Sequence, residues 1–152
     1  MISCKETRQI LEEIVGQGFS ELSDVDFKIE FINKKSDFMF FSTEDDTYII
    51  EVSKSIRKAP NKDFVGCLAH EVSHALLYYD SNPLTRIFDE LLYNSFRLYQ
   101  TFDERRTDRI VISRGYGSEL LAFNEWNDLF YEERDRSAGL TKGEIKRLLK
   151  NS

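Results

Sequence analysis

The sequence predicts an α+β fold: a small antiparallel sheet near the N-terminus, then a helical half. Three observations predict it. Residues 25–32 alternate apolar and charged side chains with a period of two. Two further runs rich in aromatic and β-branched residues, 37–43 and 47–54, follow at hairpin spacing. After Pro60 the apolar period becomes helical and stays so.

The first element is a helix over 5–15. It places Ile10, Leu11, Ile14 and Val15 on one face and stops at Gly16 and Gly18. In the strand that follows, Val25, Phe27, Ile29 and Phe31 point one way, and Asp26, Lys28 and Glu30 the other. The acidic turn 44–46 joins the next two strands. Asn61 is the expected N-cap of a helix reaching Tyr79, with Phe64, Leu68, Val72, Ala75, Leu76 and Tyr79 on its buried side. A second amphipathic helix follows Pro83, its apolar side made by Leu84, Ile87, Phe88, Leu91, Leu92, Phe96 and Tyr99. A third runs from near Thr101 to Gly115, which suits a helix C-terminus. A fourth starts at Ser118, with Phe123, Trp126 and Phe130 at core spacing. A last helix opens with the capping-box pair Thr141 and Glu144.

The 152 residues suffice for one domain, 1–152, with a core that needs no disulfides. No repeat or low-complexity linker divides them. The net charge of −6 and pI near 5.0 argue against nucleic acid as a partner, because phosphate binding wants a basic face. No apolar run reaches membrane-spanning length, and residues 1–18 lack the apolar stretch of a secretory signal. Two distant cysteines, Cys4 and Cys67, are too few for a disulfide framework. These features predict a cytoplasmic protein with no membrane partner.

The chain contains two histidines, His70 and His74, and both lie on the predicted helix after Pro60. Residues i and i+4 stack on one helix face, so both imidazoles can reach one ion. Glu71, between them, is placed to take a proton from a water in the remaining coordination position. Two imidazoles with a carboxylate favour Zn²⁺. Read without a metal, both histidines are hydrogen-bonded groups on a polar helix stripe.

A catalytic zinc wants three protein ligands. The leading candidate is in "DERRTD", 103–108, where Glu104 and Asp108 again share a helix face. Glu104 could ligate while Asp108 accepts a hydrogen bond from a ligand imidazole. Glu90 ranks second, because it lacks an acid four residues on. Cys67, one turn before His70, is a further candidate, although its apolar neighbours suit a core cysteine. Thr101 and Glu104 also match a capping box, in which Glu104 would serve only its own helix. Arg105, Arg106, Arg109 and Arg114 alternate with acids and read as a salt-bridged helix face, not an anion site.

His70-Glu71-Val72-Ser73-His74 followed by Glu104-Arg105-Arg106-Thr107-Asp108 resembles the gluzincin zinc metallopeptidases, nearest to the compact single-domain minigluzincins. The match covers 61–80 and 101–115; the strands agree only in kind. The resemblance implies His70, His74 and Glu104 as zinc ligands and Glu71 as general base. It implies Asp108 as the partner of His70, and Asp103 as the equivalent for His74. Two departures stand out. Many relatives have Gly where this chain has Ser73. The Tyr or His that often steadies the oxyanion has no match, with Tyr78, Tyr79, Arg114 and Tyr116 as candidates by sequence proximity.

The expected function is therefore zinc-dependent hydrolysis of a peptide or protein substrate. The substrate is expected to extend along an exposed strand edge within Thr47–Lys54, with the acidic turn favouring basic residues. The alternative is a zinc-binding module that is latent or non-catalytic. Some compact relatives have their cleft blocked by their own chain, and residues 139–152 could be such a cover or an ordinary docking helix. A third reading has no metal and makes the domain a structural or binding module.

Overall fold

The computed structural model describes residues 1–33, 38–45, 47–129 and 139–151, excluding the side chains of Glu90 and Asn94. It is an α+β structure with a three-stranded sheet followed by helices. The order is α1 (Cys4–Gly18), β1 (Phe27–Ile32), β2 (Met39–Glu44), β3 (Thr47–Ser53), α2 (Asn61–Asp80), α3 (Pro83–Ser95), α4 (Arg97–Val111), α5 (Gly117–Asn127) and α6 (Lys142–Asn151). No helix among the described residues is long and apolar enough to cross a membrane.

α1 begins one residue earlier than its apolar periodicity suggests, because Ser3 and Glu6 form a reciprocal capping box. It passes Gly16 and ends at Gly18. Leu11 and Ile14 are buried against the sheet and α2.

The sheet is mixed, not wholly antiparallel. β2 and β3 form the expected antiparallel pair, with Phe41 opposite Ile50. β1 instead runs parallel to β3, with Phe27 opposite Tyr48, giving the order β1-β3-β2. The chain reverses between β1 and β2 and again between β2 and β3, so β1 and β3 share a direction. β3 takes the centre because it is the most apolar strand, with Tyr48, Ile49, Ile50 and Val52 all buried. The expected substrate edge within Thr47–Lys54 is therefore paired on both sides, and the sheet edges are β1 and β2. Asp45 adopts φ 45° in the tight turn, a conformation Asp tolerates. The rest of that acidic turn, Asp46, lies outside the described residues.

α2 runs through the core, with Phe64, Leu68, Ala69, Val72 and Ala75 fully buried. Its cap position is Pro60, and Asn61 is the first helical residue, without a capping side-chain bond. α5 crosses α2 at Gly66, where an added Cβ would meet Glu119 O at 2.1 Å. Only a glycine admits that backbone approach.

α3 reverses the expectation drawn from its apolar stripe. Leu84, Ile87, Phe88, Leu91 and Phe96 are exposed, and Leu92 and Tyr99 are half-buried. The inward side is polar: Arg86 bonds Ser81 Oγ at 3.2 Å and lies over the Tyr78 ring, Asp89 takes a hydrogen bond from Tyr99, and Tyr93 reaches α4. α4 begins at Arg97, earlier than Thr101, and continues as a π-type turn, Ile112–Tyr116. Gly115, at φ 92°, then redirects the chain into α5. Phe123 and Trp126, half-buried, pack on Phe38 against the core; Phe130 lies outside the described residues. Thr141 and Glu144 make the expected capping box before α6, whose Ile145 is fully buried.

Candidate metal centre

α2 and α4 bring the predicted ligands together. On α4, Glu104, Thr107, Asp108 and Val111 fall at helical spacing on the side facing α2. Thr107, Asp108 and Val111 are buried, which fixes the rotation of α4 and so aims Glu104 at the two histidines. His70 Nε2 lies 3.2 Å from His74 Nε2 and 3.2 Å from Glu104 Oε2. Glu104 Oε1 is 3.8 Å from His74 Nε2. Two nitrogens each about 2.0–2.1 Å from a tetrahedral zinc would sit roughly 3.3–3.4 Å apart. The three side chains form a group that could hold a metal ion.

The other imidazole nitrogens are engaged. His70 Nδ1 is 3.0 Å from Asp108 Oδ1, so Nδ1–H donates to the carboxylate, which leaves the Nε2 lone pair available when the ring is neutral. Thr107 Oγ1 donates to Asp103 O at 3.0 Å and can accept from His74 Nδ1 at 3.4 Å. Asp103 Oδ2 is 3.8 Å from the same nitrogen, within ion-pair range but beyond a hydrogen bond. Thr107 is thus the closer partner of His74, a role the sequence reading gave to Asp103. With both rings neutral and protonated at Nδ1, two imidazole lone pairs and a carboxylate would face one another in a buried site. That set of donors could hold a cation.

The titration behaviour reflects the same crowding. Burial disfavours the His70 imidazolium, but Asp108 and Glu104 outweigh it and raise the pKa well above its ordinary value. Burial and the neighbouring His70 charge push His74 down to about 4. Burial alone would raise Glu104; the bonds and charges of the histidines and the Tyr93 hydroxyl instead hold it near 2. One proton and three ligand groups therefore share a space suited to one divalent ion.

Glu71 is buried on α2, and its Oε2 accepts the Phe41 N–H of β2 at 2.9 Å. The motif helix is thereby tied to the edge strand through its acid. Ser73, just before His74, is fully buried and donates its hydroxyl to Ala69 O at 2.9 Å. Its extra polar atom is satisfied inside the helix.

Two competing assignments fall away, the capping box and the Cys67 ligand. Thr101 lies inside α4 and bonds Arg97 O, so Glu104 caps nothing. Cys67 is packed in the hydrophobic core, and burial raises its thiol pKa, disfavouring the thiolate a metal needs. The Glu90 side chain lies outside the described part of the structure. Arg105 and Arg114 pair with Glu144 and Glu21, as expected of a salt-bridged face.

The four oxyanion candidates from sequence make their main contacts elsewhere. Tyr116 stacks on Phe19, Arg114 holds Gly18 O and Glu21, and Tyr79 is half exposed. Tyr78 packs with Phe41 and Tyr48. The sequence reading missed Tyr93, which donates to Glu104 Oε1 at 2.9 Å. Burial raises its pKa, and the carboxylates of Glu104, Asp103 and Glu71 add to the rise. The available signal was the polar stripe Arg86, Asp89 and Tyr93, spaced three and four residues apart on an otherwise apolar helix.

Comparison with protein-family models, curated proteins and solved structures found no match. The functional reading therefore rests on the geometry of this site.

Proposed function

We propose that the protein is a zinc-dependent peptidase, with His70, His74 and Glu104 holding the metal and Glu71 acting as general base. The observation that carries this reading is the convergence of two imidazole Nε2 atoms and a carboxylate beside a buried glutamate. Zinc, when bound, supplies a Lewis acid that lowers the pKa of water towards 7 and polarises a carbonyl.

Asp108 and Thr107 hold the two imidazole rings with their Nε2 atoms turned inward. Glu71 takes a proton from the attacking water and passes it to the leaving amine. Tyr93 donates its hydroxyl to Glu104 and, turned to substrate, is the candidate donor to the oxyanion. The Phe41 amide steadies Glu71. β2 is the sheet edge beside Glu71, so an extended peptide would add along β2, replacing the edge first expected in β3.

One observation favours the second reading, a zinc-binding but latent or non-catalytic module: the proposed base is already bonded to the chain's own edge strand. Glu71→Gln separates the two. In a peptidase it abolishes cleavage of a generic protein substrate while zinc stays bound. In a non-catalytic module wild type and variant are equally inert. The cytoplasmic assignment is part of this proposal, supported by Cys4 and Cys67 both being free thiols.

A further inference from the structure

We propose that the Arg105–Glu144 ion pair is a latch that sets metal affinity from outside the site, by holding the Leu140 N–H against Asp108. The proposal rests on the metal-site reading above and adds positioning residues to it.

Asp108 uses both oxygens. Oδ1 takes His70 Nδ1 at 3.0 Å, and Oδ2 takes the Leu140 N–H at 2.6 Å. Nδ1 lies across the ring from Nε2, so the segment bearing Leu140 approaches His70 from behind and does not cover the site. The Asp108 carboxylate is almost fully buried. Losing the Leu140 donor would strand one of its oxygens and free it to rotate. His70 would then lose the partner that fixes its tautomer and ring plane.

The Leu140 amide is held in place by groups on either side of it. Arg105, next to Glu104 on α4, reaches Gly139 O at 3.4 Å and Glu144 Oε2 at 3.2 Å through one guanidinium nitrogen, and Glu144 Oε1 through the other. Glu144 Oε2 also accepts the Thr141 N–H at 2.9 Å. Arg105 thus grips the residue before Leu140 and, through Glu144, the residue after it. The fork geometry of Arg suits this two-point hold. Both side chains are about a third exposed, 28% and 34%, so the pair contributes little to global stability. α6 is separately anchored by the fully buried Ile145, with Lys142–Asp128 just after α5 and Lys146–Glu125 as pairs beside it. Breaking the latch should therefore leave the fold standing.

The test measures zinc affinity of the full chain by competition with a chromophoric chelator. The proteins are wild type, Arg105→Met, Glu144→Gln, the double variant and Lys146→Ala. The latch predicts about tenfold weaker zinc in each single latch variant. The double variant should be no weaker than the worse single one. Arg105→Lys, keeping the charge but not the fork, should recover part of the loss. The visible bands of the Co²⁺-substituted protein should shift in the latch variants, with far-UV circular dichroism unchanged. Lys146→Ala should keep wild-type affinity. Unchanged affinity in both single latch variants overturns the proposal, as does equal weakening by Lys146→Ala. A wild type that binds no zinc overturns the underlying metal reading instead, and is visible before any variant is compared.

Discussion

His70 Nδ1 sits 3.0 Å from Asp108 Oδ1, a bond that joins α2 to α4 across 38 residues of sequence. It fixes the ring so that Nε2 points at His74 and Glu104. Asp108→Asn keeps the shape but places either an amide donor or a weaker acceptor against Nδ1. Zinc affinity should fall by about 10–100-fold, measured by chelator competition. Asp103→Asn, 3.8 Å from His74, should cost much less. Equal losses would show that Asp103, not Thr107, orients His74.

Tyr93→Phe separates two roles of one hydroxyl. If Tyr93 meets the oxyanion, kcat should fall roughly 10²-fold with KM little changed. Zinc should stay bound, because Glu104 retains the metal as a partner. A rise in KM at constant kcat would contradict the oxyanion role.

Gly66→Ala probes the crossing of α2 and α5. The new methyl meets backbone, Glu119 O at 2.1 Å and Glu119 C at 2.4 Å, so no side chain can turn aside. Overpacking of this kind costs about 1–3 kcal/mol, and the midpoint of urea unfolding should fall accordingly. An unchanged midpoint would refute the close crossing.

Thiol chemistry tests the placement of the two cysteines. Cys4 is exposed, whereas Cys67 is buried. Burial raises the Cys67 pKa, so the neutral thiol dominates further into the alkaline range. Alkylation at pH 8 should modify Cys4 alone in the native protein and both after unfolding. Rapid native labelling of Cys67 would argue against its core position.

Much of this was legible in the sequence, for physical reasons. The i, i+4 spacing of His70 and His74, and of Glu104 and Asp108, dictates which side chains share a helix face, so the site could be read one helix at a time. Gly115 was legible because few other residues accept a positive φ. Strand order was not, because each strand's alternation says which face is buried and nothing about which neighbour it pairs with. α3 misled because most of its apolar stripe is real but faces outward, while Arg86, Asp89 and Tyr93 make the inward contacts and Tyr93 reaches Glu104. Thr107 was overlooked because an uncharged hydroxyl carries no mark of a metal site. Its role depends on where its own proton goes, to Asp103 O.

The most direct measurement is zinc content by elemental analysis of the purified chain without affinity histidines, as wild type, His74→Ala and Glu104→Ala. The account predicts about one zinc per wild-type chain and a sharp loss in both variants. A wild type that stays free of zinc after remetallation would contradict it.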